Sequence, residues 1–135
     1  MEHKDDMSIS VKEDFTLIRE LESMPAKLKA KQLELLESKT SLDEIEKEIK
    51  RLENKHVSSI LDEMEASGKI KFSNQQKRDV ELLERLTNDA AYQLQKKSLK
   101  EMQKQEGIRK IDVEFLRNRM NVLMAILPFV GEKIV

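Results

Sequence analysis

Leu28, Leu35, Leu42, Ile49 and His56 recur every seven residues, with Ile45 and Leu52 on the intervening seam and Ser59 the candidate for its next position. A seven-residue period on a helix of about 3.6 residues per turn holds one edge in line only when the helix winds left-handedly around a neighbour. Helix against helix is therefore the packing this chain is written for. Leu33 and Leu36 widen the apolar stripe near its start, which suggests more than one neighbouring helix there.

Composition agrees. Of 135 residues 38% are charged and 4% aromatic, with three glycines, two prolines and no tryptophan. Long solvated helices with thin apolar seams have this make-up. Such helices bury little apolar area per residue, so a partner is expected, most simply further copies of the chain. The absence of cysteine excludes disulfides and thiolate metal sites and fits a cytoplasmic protein. Met1 to Ser10 lacks the apolar core of a signal peptide. Val122 to Val130, the longest apolar run, is too short to span a membrane and contains Pro128.

Along the chain, residues 1–10 read as a flexible arm, and 11–135 as a single all-α coiled-coil domain. A short amphipathic helix follows the arm, marked by Val11, Phe15, Ile18 and Leu21, and Ser23-Met24-Pro25 interrupts it. The first long helical arm covers about 25–66 and ends at Ala66-Ser67-Gly68, where glycine suits a left-handed cap. Ser73 and Gln76 have capping-box spacing and announce the second arm, about 74–127, which Pro128 stops. Gly107 marks a bend or a frayed turn within it. Its apolar seams read as Val80, Leu83, Ala90 and Leu94, then Ile108, Ile111, Phe115 and Val122. The expected architecture is an elongated helical hairpin or coiled coil, assembled as a homo-oligomer. At about 1.5 Å per residue the arms would span on the order of 60 and 80 Å.

Charge divides between the arms. Through Ala66 there are 11 Lys and Arg against 17 Asp and Glu, and from Ser67 onward 14 against 9, so a formal −1 conceals an acidic and a basic half. Lys96, Lys97, Lys100, Lys104, Arg109 and Lys110 cluster on the second arm, the first, third and fourth of them forming an i, i+4 ladder. Lys69, Lys71, Lys77 and Arg78 gather around the turn. These ten residues are candidate phosphate contacts, with salt-sensitive binding. Charge runs on helices are more often solvated faces, or here partners of the acidic arm. Only Phe72 and Tyr92 lie near enough to stack on bases.

No catalytic constellation emerges. His56 takes a seam position without a second ligand at metal spacing, and the carboxylates are spread as helix-surface charges. No cofactor, metal or enzymatic activity is expected.

The apolar end, including Met120, Leu123, Ile126, Leu127 and Phe129, folds back as a cap or forms a subunit interface; the second is preferred, since this surface would otherwise stay wet. Together with Leu28, Leu35, Leu42, Ile45, Ile49 and Leu52 it makes up the candidate oligomer interface.

The stretch KFSNQQKRDVELLERLTNDAAYQLQKK from Lys71, followed by IDVEFLRNRMNVL, resembles small helical proteins encoded by tailed phages. Ser73, Asn74 and Arg78 match their helix start, Tyr92 their tyrosine-bearing helix, and Glu114, Leu116 and Arg117 a later turn. Some of these proteins are similar to UvsY-type recombination mediators. The likeness implies an oligomer that binds single-stranded DNA and helps load a recombinase, with the recombinase or a single-stranded-DNA-binding protein as partner, in the host cytoplasm. The rival expectation is a coiled-coil scaffold that binds proteins only.

Overall fold

The computed structural model describes residues 2–68 and 71–134, with side chains from 15 to 68 and from 71 to 129. Among the described residues it is all-helical, with α1 Glu2–Ala66, α2 Gln75–Asn88 and α3 Ala90–Ile134. It divides into two compact units: residues 38–106, and residues 1–37 together with 107–135.

In the unit of 38–106, the heptad residues Ile49 and Leu52 of α1 form a core with Leu86 of α2 and Tyr92 of α3, and Ile45, Leu82 and Leu99 pack against it. Leu42, Ile60 and Met64 are buried on the same edge of α1. The seam drifts after His56. Ser59 is exposed and Ile60 is buried in its stead, so the spacing from Ile49 is eleven residues, the interval at which a coiled coil locally unwinds.

In the other unit, Met24 of α1 is 3% exposed and Val113 and Leu123 of α3 are 3% and 1% exposed. Arg119 grips Glu20 through Nε at 2.8 Å and Nη2 at 2.9 Å. Arg109 donates from Nη1 to the backbone carbonyl of Glu34 at 3.1 Å.

Four local expectations change. First, α1 is continuous from Glu2, so neither a separate arm nor a short helix precedes it, and Pro25 lies inside it. Proline withholds the amide that would reach Leu21, one hydrogen bond. The buried Met24 stands four residues before the half-buried Leu28, so the packed edge runs straight through the proline and holds the helix together.

Second, the second arm is two helices. Asp89 adopts φ −84°, ψ 105° and ends α2, its N–H reaching the carbonyl of Leu86. Its Oδ1 accepts the amide of Tyr92 at 3.1 Å, capping α3. Short acidic side chains that bond nearby amides compete with helix continuation in this way.

Third, the start of α2 is capped one residue later than the capping box implied: Asn74 Oδ1 accepts the Lys77 amide at 2.8 Å. Gly68 is left-handed as expected, with φ 69°. Fourth, α3 passes through both Gly107 and Pro128 and ends at Ile134. Pro128 forfeits only the bond to the carbonyl of Met124, with about two turns of helix beyond it.

The seams of the second arm also fall differently. Val80, Leu83, Leu94, Ile108, Ile111, Phe115 and Val122 are all exposed, and so is Ala90. The inward edge of α3 is instead Tyr92, Leu99, Met102, Val113, Leu116, Met120 and Leu123, buried or half-buried. Both sets keep three-and-four spacing, two positions apart, and therefore lie on roughly opposite faces.

Candidate nucleic-acid interface

Four of the predicted phosphate contacts, Lys96, Lys97, Lys100 and Lys104, stand on α3 within the unit of 38–106, and all four are exposed. The helix places them there by anchoring the adjacent edge, where Tyr92 and Leu99 flank Lys96 at i−4 and i+3. Tyr92 is buried and its hydroxyl donates to Glu53 Oε1 at 3.2 Å, while Leu99 packs against the core. Burial, then the Glu53 carboxylate, raises the phenol pKa, so Tyr92 stays neutral as an anchor. With that edge fixed, Lys96, Lys100 and Lys104 follow one another at about 6 Å along the axis.

Lys96 Nζ lies 5.8 Å from the centroid of the Tyr92 ring. Among the described residues no carboxylate engages Lys97, Lys100 or Lys104 in an ion pair. The acidic half of the chain is nonetheless close: a groove beside Leu99 is lined by Asp43, Glu46 and Glu53 together with Lys47 and Lys50 of α1. A second groove, on the other side of α3, brings Lys97 and Glu101 beside Leu94, Met102 and Ile45.

The remaining basic candidates are more engaged. Lys71 Nζ is 3.5 Å from Glu63 and 5.2 Å from the Phe72 ring centroid. Arg78 Nη2 donates to Gln75 Oε1 at 2.8 Å. Lys77 is exposed. Lys69 lies outside the described residues. The turn group sits at the Ala66 end of α1, whereas Leu99 packs at the level of Ile49, roughly 25 Å back along the axis. The fold thus keeps the two basic groups apart. Arg109 and Lys110 belong to the other unit, Arg109 half-buried on Glu34 and Lys110 exposed.

Sequence reasoning missed two features around this site. Arg85 spans α2 and α1, donating to Glu81 at 2.7 Å and to Ser59 at 3.3 Å and pairing with Glu63. Its hydrogen bond is the main reason the Glu63 carboxyl titrates below its ordinary range. His56 meets Asp89, Nε2 to Oδ2, at 2.7 Å. That hydrogen bond, followed by the Tyr92 amide, lowers the Asp89 pKa. No cluster of metal-ligating side chains occurs among the described residues. No helix searched there is long and apolar enough to cross a membrane.

The candidate oligomer residues divide by burial. Leu42, Ile49, Leu52 and Leu123 are buried within the single chain, which leaves them no surface for a second copy. Leu28, Leu35, Ile45, Met120 and Ile126 are half-buried, while Leu127 and Phe129 are exposed.

Comparison of the chain with family models, with curated proteins and with solved structures gives no match.

Proposed function

We propose that this chain is a non-catalytic accessory protein that binds single-stranded DNA, works as a coiled-coil homo-oligomer and acts as a recombination mediator. The observation that carries the DNA part is the exposed row Lys96, Lys97, Lys100 and Lys104 on one side of α3, with the last three outside any ion pair among the described residues. Like charges four residues apart on a helix repel one another, and a polyanion laid along the row relieves that repulsion. The recombination role and the recombinase partner rest on the resemblance of residues 71–97 and 111–123 to small helical proteins of tailed phages, some of which are similar to UvsY-type mediators.

Fluorescence anisotropy of a labelled oligonucleotide tests the reading. Binding should weaken steeply with salt, and K96E/K100E/K104E should abolish it or flatten its logarithmic salt slope by about 2. Absence of binding even at low salt removes the proposal.

A second reading, a scaffold that binds proteins only, draws support from the exposed Ile108, Ile111 and Phe115. Recovery of a protein partner after nuclease treatment, by a chain indifferent to oligonucleotides, would favour it.

A further inference from the structure

The outward edge of α3 in the unit of 1–37 and 107–135 is a second heptad seam. Ile108, Ile111, Phe115, Val122 and Phe129 follow three-and-four spacing, with Asn118 and Ala125 completing the register. The five large side chains are 50–66% exposed. We infer that this edge is where two copies of the chain pair, α3 against α3 in antiparallel orientation.

Period and area both point to a helix of the same kind. A stripe that keeps the seven-residue repeat over three heptads stays in contact with a partner that shares the repeat, and a second copy supplies it. Aromatic side chains present about 150–250 Å² each, and isoleucine and valine somewhat less. At these exposures the five leave roughly 500 Å² uncovered per copy, so pairing removes up to about 1,000 Å², the threshold that a biological interface should clear. That uncovered stripe matches the largest apolar patch of a typical monomer, which is often functional.

Charge selects the orientation. Toward the start of α3 the same register continues through Lys104, Glu101 and Lys97. A parallel, in-register pair would set each of these against its own copy, like charge on like charge. An antiparallel pair centred between Leu116 and Arg117 avoids this. It sets Ile108 against Ala125 of the second copy, Ile111 against Val122 and Phe115 against Asn118, and it lays the Lys104 stem along Phe129 with the ammonium left in water. On the flank, Asp112 comes beside Arg119 of the second copy, which holds Glu20 through Nε and Nη2 and offers Nη1.

This deepens the assembly part of the proposed function. Its test contains no nucleic acid, so failure here leaves DNA binding to be decided by the anisotropy measurement. Sedimentation equilibrium of the full chain at micromolar concentration should give twice the chain mass of 15.8 kDa. I111E/F115E should halve that mass with an unchanged helical circular dichroism spectrum, because both side chains are exposed in the single chain. L33E/L36E, on exposed apolar positions of α1, should leave it unchanged.

The chain has no cysteine, so orientation can be read by oxidation: I111C/V122C should link two copies, and I111C alone should not. A monomeric wild type, or a mass that I111E/F115E leaves untouched, overturns the pairing. Efficient self-linking of I111C overturns the antiparallel arrangement.

Discussion

Asp89 shows how much one side chain decides here. Its backbone closes α2, its Oδ1 caps α3 and its Oδ2 meets His56. An asparagine in its place keeps an acceptor for the Tyr92 amide and loses the charge; an alanine loses both. Thermal unfolding at neutral pH should therefore rank wild type above Asp89→Asn and Asp89→Asn above Asp89→Ala. Equal midpoints for the two variants would mean that the cap contributes nothing. The sequence held a signal for this break in the run Thr87-Asn88-Asp89, three residues that sit poorly inside a helix. Reading the second arm as one helix hid it. The partner of His56 was hidden for the same reason, since 33 residues separate it from Asp89 and only the break turns the carboxylate toward α1.

At the scale of elements, α1 was largely legible and α3 was not. The heptad from Leu28 to Ile49 names an edge, and the structure buries Leu42, Ile49 and Leu52 on it. On α3 two edges carry the same spacing, and periodicity alone cannot say which one faces α1. The inward edge includes Glu106 and Arg109, both half-buried, which made it look the more polar of the two. Arg109 is tolerated there because it donates to the Glu34 carbonyl. Gly107 offers a prediction on this helix. It lies within α3, and a Cβ added to it would meet nothing within 4 Å. Gly107→Ala should then stabilise the chain by about 0.5–1 kcal/mol, through helix propensity and a less flexible unfolded chain. Chemical denaturation checks this by a raised midpoint at constant slope. A lowered midpoint would show that the glycine serves a conformation other than the straight helix.

Across the whole molecule, the ion pairs set a pH window. Glu20 in one unit is held below its ordinary pKa of 4.5 chiefly by hydrogen bonding from Arg119, Glu63 in the other by Arg85, and Asp89 below 3.8 by His56. A carboxyl whose pKa is lower folded than unfolded contributes fully above the unfolded value. It loses that contribution as pH falls through the folded value. Acid should thus weaken both units progressively below about pH 4.5. Tyr92 acts in the opposite sense: its pKa is raised above 10.0 by burial and Glu53. Its contribution is complete below 10.0 and fades as pH climbs through the raised value. The midpoint of thermal unfolding should accordingly fall as pH drops below the first limit and as it climbs past the second, with its plateau between them. Glu20→Gln and Glu63→Gln should each lower the plateau and make the acid limb shallower, whereas Tyr92→Phe should flatten the alkaline limb alone. An acid limb as steep in the double glutamine variant as in the wild type would place the proton-sensitive groups elsewhere in the chain.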